Sequence, residues 1–177
     1  AMAAYIEYLE GTIDPATGLS SDSRLGDWLG PQNVLLGPEL LATAYHVYSL
    51  EIMVHVAHLL GREDDETKYR QMHAARQTFF NRTFVGSDGK AVVPDRPPAL
   101  PGAPASPFTG FRTADGQSAY AVGLALGAFN GANTSAMQES LAAAVSRQNP
   151  DDQGVVRPAN SLMTGFIGTA WISKALS

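Results

Sequence analysis

The residues best suited to chemistry lie in one glycine-punctuated stretch, Gly18-Leu19-Ser20-Ser21-Asp22-Ser23-Arg24-Leu25-Gly26-Asp27-Trp28-Leu29-Gly30-Pro31-Gln32-Asn33. An Asp–Trp pair beside glycines suits a sugar. The indole face packs on the apolar C–H face of a pyranose, and the carboxylate accepts hydrogen bonds from its hydroxyls. The same pair also fits a loop anchor in which Trp28 packs inward and Asp27 caps a helix. Asp115-Gly116-Gln117 is a second candidate: Gln117 offers a donor and an acceptor to a polyol, while Asp115 reads better as an N-cap. Glu51, His55 and His58 fall at i, i+4 and i+7 on one helical face, a spacing a metal can use. Their mid-helix apolar setting reads instead as hydrogen-bonded core, so no metal is expected. Gly165 and Gly168 read as points of close helix approach, because no basic residue beside them would complete a phosphate cradle. There is no Gly-x-Ser-x-Gly elbow, dinucleotide fingerprint or P-loop, and no cofactor is expected. Asn81-Arg82-Thr83 and Asn133-Thr134-Ser135 match the glycosylation pattern, as chance allows at this length.

The elements that must position these residues are helical. Period-2 alternation is nearly absent, and Ala, Leu, Gln, Glu and Met dominate the periodic stretches. The pattern predicts helices near 1–10, 38–60, 63–82, 117–129, 135–147 and 161–176. Pro38 and Glu39 open the second with a first-turn proline and an acid at the positive end of the dipole, and Gly61 stops it. Segments 38–60, 117–129 and 161–176 are nearly chargeless and apolar on most faces, which demands shelter on every side. Segment 63–82 carries charge around a single apolar stripe from Tyr69 through Met72 and Ala75 to Phe79, and 135–147 is likewise one-sided. Tight connections (61–62, 130–134) alternate with long ones (11–37, 83–116, 148–160), and six prolines between Pro94 and Pro107 predict an extended strap. If each helix crosses the body once, the long loops share one end and the tight turns the other. That is the layout of helical hairpins in an α/α toroid whose functional face lies at the N-termini of the inner helices. A compact six-helix bundle also fits the hairpins, but not the three chargeless helices.

Composition narrows the function classes. The 177 residues carry 12 Lys+Arg against 17 Asp+Glu, and only 16% are charged, so much of the surface is expected to be covered. An acidic chain without a basic cluster argues against nucleic acid and anionic membranes as partners. No run approaches 18 uninterrupted apolar residues, and the first residues lack the order of a signal peptide. Without cysteine, disulfide and thiolate chemistry are excluded. The compartment stays open.

Five motifs occur in order: Gly26-Asp27-Trp28-Leu29; Ala57-His58-Leu59-Leu60-Gly61-Arg62-Glu63-Asp64; Phe80-Asn81-Arg82-Thr83-Phe84; Gln117-Ser118-Ala119-Tyr120-Ala121; and Leu162-Met163-Thr164-Gly165-Phe166-Ile167-Gly168-Thr169. Together they resemble the middle of the catalytic domain of the α-L-rhamnosidases, glycoside hydrolase family 78, over nearly the whole chain. The resemblance implies an (α/α)₆ toroid that hydrolyses terminal α-linked L-rhamnose with inversion, using one carboxylic acid and one carboxylate about 6.5–9.5 Å apart. It carries a rhamnose-binding role to Asp27 and Trp28, and to Gln117. The family's acid motif, upstream of Gly-Asp-Trp-Leu, and its base motif, downstream of Thr-Gly-Phe, are both absent. Ser23-Arg24-Leu25-Gly26-Asp27-Trp28 echoes the first but lacks its glutamate.

The expectation is therefore an all-α segment, 1–177, forming about half of a toroid cut from a larger enzyme. It would hold substrate-wall residues but neither catalytic carboxylate, be inactive alone, and self-associate through its cut edges. A non-catalytic helical scaffold or carbohydrate-binding module is the alternative from another class. A different toroid enzyme, such as a glucosidase or an unsaturated-uronide hydrolase, is the third.

Overall fold

A computed structural model describes residues 2–21, 26–32, 36–95 and 109–177. It contains α1 (Met2–Gly11), α2 (Pro38–Leu59), α3 (Glu63–Phe84), β1 (Val92–Asp95), β2 (Gly110–Thr113), α4 (Gln117–Ala125), α5 (Gly131–Ser146), β3 (Asn149–Pro150), β4 (Val156–Arg157) and α6 (Phe166–Leu176). All six expected helices are present, but α5 begins at Gly131 rather than 135, inside the expected 130–134 connection, and the bounds of α4 and α6 also shift. The two short antiparallel pairs were not expected. β1 pairs with β2 so that Val93 faces Arg112, and β3 with β4 so that Pro150 faces Val156. Pro94 sits in β1; the rest of the expected proline strap lies outside the described residues.

Local chemistry explains most boundaries. α2 ends where Gly61, at φ +64°, takes the left-handed turn that lets Arg62 N–H reach the Ala57 carbonyl at 2.9 Å. α3 opens with four acids at its positive end, held by Arg62–Asp65 and Arg70–Glu66 pairs. α4 stops at Ala125, short of the expected 129, because Gly127 (φ +67°) lets Ala128 N–H bond back to Gly123 at 2.8 Å. α6 begins at Phe166 rather than 161.

α2 packs most extensively on α3, while α4 packs along α6, α5 and α2. This yields an inner row α2–α4–α6 with α3 and α5 outside. The main core joins Leu40, Ala44, Val47, Phe80, Phe84, Tyr120, Val122 and Leu141, and a smaller cluster under α1 joins Ile6, Leu50, Met53, Ala57 and Tyr69. By length and mean hydropathy α2 would pass for a bilayer span, yet Leu40, Ala44, Val47 and Leu50 are fully enclosed within the fold.

Two expectations need correction. All-round shelter holds for α4, where every residue but Leu124 is buried. It fails for α6, where only Gly168 and Ile172 are buried. α6 packs by one flank on α4, and on α2 through Trp171, whose indole N–H donates to Tyr45 OH at 2.7 Å. The tight turns also do not share one level. α4 has 9 residues against 22 in α3, about 14 Å against about 33 Å. Its turn into α5 therefore lies beside the C-terminal part of α3.

That turn is pinned by Asn81. Its amide donates to the carbonyls of Gln77 (2.8 Å) and Ala128 (2.9 Å), and its oxygen accepts from Asn130 N–H (3.2 Å) and Asn133 Nδ2 (3.0 Å). Buried and fully bonded, it has no free amide for a glycan.

Candidate functional site

The site is built around the start of α6. Its N-cap, Gly165, has no side chain to cap the first N–H groups. Asp27, remote in sequence, does it instead. Oδ1 accepts from Ile167 N–H and Gly168 N–H, each at 2.9 Å. Oδ2 accepts from Gly165 N–H at 2.7 Å and from the Ser118 hydroxyl of α4. A buried carboxylate at the positive end of a helix, with four donors, is fully solvated by protein.

The approach requires glycine. A Cβ on Gly165 would collide with the carbonyls of Asp27 and Trp28, and one on Gly168 with Ser118 Oγ and Asp27 Oδ2. A Cβ on Gly30 would stand 2.5 Å from Gly165 N. The Trp28 carbonyl then accepts Phe166 N–H at 3.0 Å. Thr164 and Thr169 close the turn with a hydroxyl pair at 2.7 Å. Close approach, as expected at Gly165 and Gly168, is what the geometry shows.

With its backbone locked, the loop projects its apolar side chains. Trp28 keeps 57% of its surface exposed, Leu29 80% and Phe166 68%. Trp28 does not pack inward as an anchor.

Gln117, also buried, braces the segment before α6. Its amide donates to the Ser161 carbonyl (3.0 Å) and more weakly to Ala144 (3.3 Å), while its oxygen accepts Met163 N–H at 3.1 Å. Gln32 ties the other side of the loop to the β3–β4 hairpin through the Pro150 carbonyl (2.9 Å), and Asp152 N–H donates to the Pro31 carbonyl at 2.7 Å.

Asp115 is not a cap; Gly116 holds that position. Its side chain takes Lys90 Nζ at 2.6 Å, Arg147 Nη1 at 2.9 Å and the Tyr120 hydroxyl at 2.8 Å. Burial opposes its charge, but hydrogen bonds from Arg147, Lys90 and Tyr120 outweigh it and bring the carboxyl down to about 2. Burial first, and then this carboxylate, push the Tyr120 hydroxyl upward. Asp115 thus fixes the entry to α4 by joining it to the end of α5.

Glu51, His55 and His58 do not form hydrogen-bonded core: both histidines are exposed, and His58 Nδ1 pairs with Glu66 Oε2 at 3.0 Å. Among the described residues no group of three or more His, Cys, Asp or Glu side chains could hold a metal. The loop around Trp28 presents one described carboxylate, Asp27, with both oxygens occupied.

Sequence reasoning missed Ser118, Gln32 and the 149–157 hairpin. Ser118 and Gly30 sit inside or beside the ordered motifs, which was their one signal. Nothing in the sequence marks the hairpin.

Comparison with known proteins decides the affiliation. All of residues 1–177 match the family model described as the bacterial alpha-L-rhamnosidase 6 hairpin glycosidase domain. The chain belongs to this family. The fold is also similar to the crystal structure of the Streptomyces avermitilis alpha-L-rhamnosidase complexed with L-rhamnose, with a TM-score of 0.71 and 25% identity over 99% of this chain and 14% of that one. It resembles the native Aspergillus terreus alpha-L-rhamnosidase with a TM-score of 0.68 and 19% identity, covering 99% of this chain and 18% of that one. This rhamnosidase-family chain therefore spans under a fifth of either enzyme's length. Comparison with curated proteins gives no match.

Proposed function

We propose that the chain is part of the (α/α)₆ catalytic domain of an inverting α-L-rhamnosidase-like glycoside hydrolase, one all-α segment of about half the toroid. In this reading it supplies part of the wall that binds terminal L-rhamnose and neither the general acid nor the base. The observation that carries the reading is the exposed Trp28 indole, locked at the start of inner helix α6 by a buried carboxylate. Trp28 lays its face against the sugar ring. Asp27 and Gln117 belong to the same wall and act through backbone: Asp27 fixes the tryptophan loop, and Gln117 fixes the segment ahead of Phe166. The occupied oxygens of Asp27 support its exclusion from acid catalysis. L-rhamnose in the Streptomyces enzyme and the rhamnosidase-family match support the choice of sugar. Apolar side chains left in water, including Tyr5 and Tyr8 on α1, Leu59 and Leu60 at the end of α2, and Phe166 and Leu176 on α6, support self-association of the isolated chain.

The test is titration of the chain with L-rhamnose, followed by the Trp28 indole N–H resonance, alongside an assay with an aryl α-L-rhamnoside. Saturable, millimolar-range shifts lost in Trp28→Ala, with no turnover, agree with the reading. Turnover abolished by Asp27→Asn in a protein that stays folded would make Asp27 catalytic and overturn it. Sizing with light scattering should show species larger than a monomer.

A further inference from the structure

The inner row α2–α4–α6 is left open at both ends among the described residues. On α6, Phe166, Ala170 and Ser173 recur at i, i+4 and i+7 on one face, and all three are exposed. α4 occupies the other side of the helix, at Gly168 and Ile172. On α2, Ala42, Ser49 and Val56 recur every seven residues as a half-buried stripe. That stripe runs between His46 and Met53, which lie under α1, and Tyr45 and Tyr48, which meet Trp171. Both flanks are largely of small residues, which a second helix can approach closely. α2 and α6 are parallel, because Trp171 reaches Tyr45 and Tyr48 while Lys174, one turn on, lies over Tyr48.

Charge separates the ways in which these flanks could be covered. α6 carries one charge, Lys174, and no carboxylate pairs with it among the described residues. α1, at the other edge, carries Glu7 and Glu10 and no base. Pairing α6 with α6, or α1 with α1, sets like charges together. Pairing α6 with the α1–α2 edge sets unlike ones together.

We propose that a second copy of this chain covers both open flanks, the α6 flank of each packing on the α1–α2 edge of the other about a two-fold axis along the ring. The proposal rests on the half-toroid reading above: the six helices of each copy together supply the twelve of an (α/α)₆ ring. It also extends the sugar wall. The N-terminus of α2 in the second copy arrives beside the start of α6, where Trp28 is held.

The chain has no cysteine, so introduced ones can read the seam. Ser173 and Ser49 lie at similar depth, because Trp171 and Lys174 stand level with Tyr45 and Tyr48, and a two-fold axis along the ring keeps that depth. Ser173→Cys and Ser49→Cys, treated with a short thiol cross-linker, should each run as a monomer on a denaturing gel when alone and as a covalent dimer when mixed. The chain carrying both should give a closed dimer. Ser173→Arg, on the exposed face, should melt with the wild type at high dilution. In sedimentation it should weaken the dimer about a hundredfold, tenfold at each of two seams. Cross-linking of Ser173→Cys to itself, a ladder of higher species from the double variant, or a wild-type monomer at every concentration overturns the ring. A monomer whose Trp28 indole N–H still shifts with L-rhamnose overturns the ring and leaves the sugar wall standing. A cross-linked dimer that takes no rhamnose supports the ring and overturns the wall.

Discussion

Replacing Asp27 by asparagine changes one atom of a buried cap, and the structure sets the size of the effect. Asparagine keeps an acceptor for the Ile167 and Gly168 N–H groups, but as a neutral partner. Its amide then faces Gly165 N–H and Ser118 Oγ, where Oδ2 had accepted from both. The serine hydroxyl rotates to accept from the new amide; the buried Gly165 N–H has no such recourse. Leaving it unpaired costs about 1–3 kcal/mol, and weakening two charge-assisted bonds adds about 1 kcal/mol. The expected loss is about 3 kcal/mol, a fall in Tm of about 10 °C for a chain of this size. Urea unfolding followed by helical circular dichroism gives the change in midpoint. Ser118→Ala should cost about 1 kcal/mol, and the double variant less than the sum, because both act on one oxygen. An Asp27→Asn midpoint within about 0.5 kcal/mol of wild type, or strict additivity with Ser118→Ala, would refute the cap as the basis of the loop's rigidity.

Other outcomes follow from the same structure. Asp115 titrates near 2 in the fold against 3.8 ordinarily, so its contribution is full above about pH 4 and disappears as pH falls towards 2. Its partial exposure limits this to about 1–2 kcal/mol, and Asp115→Asn should flatten acid unfolding in that window. Burial first, then the neighbouring Arg76 charge, lower His46 from 6.5 to about 4, and its Nε2 stands 3.1 Å from Glu10 Oε1 but out of line for a hydrogen bond. The unfolded chain takes that proton first, so stability present above pH 6.5 is lost as pH falls towards 4, by about 3 kcal/mol; His46→Gln should remove the slope. Gly165→Ala drives a Cβ into two carbonyls and should cost about 3 kcal/mol or prevent folding, whereas Gly11→Ala, in open space, should be neutral by thermal melting.

The Asn81 motif shows how much tertiary reason lay behind residues that were legible only as a pattern. Phe80-Asn81-Arg82-Thr83-Phe84 stood out by its order among other motifs, and Asn81 read locally as a glycosylation match. In the fold it clamps, with three of its four hydrogen bonds, a turn some fifty residues away in sequence. Asp115 shows the converse. An aspartate before a helix reads as a cap by local rules, yet Gly116 occupies that position and the carboxylate serves Lys90, Arg147 and Tyr120.

Local chemistry alone determined the six helices, the hairpin order and the charged outer face of α3. Helix periodicity, first-turn acids and glycine stops act within a few residues and need no partner. It also marked Asp27, Trp28, Gln117 and the glycine pair as the residues to watch. Only the tertiary structure decided what each does, because capping across 138 residues, glycine-to-glycine contact and one-sided burial of α6 depend on which elements become neighbours. A carboxylate beside a tryptophan has the same sequence whether it faces a sugar or a row of N–H groups. The placement of the α6 N-terminus against it is a property of the packed helices.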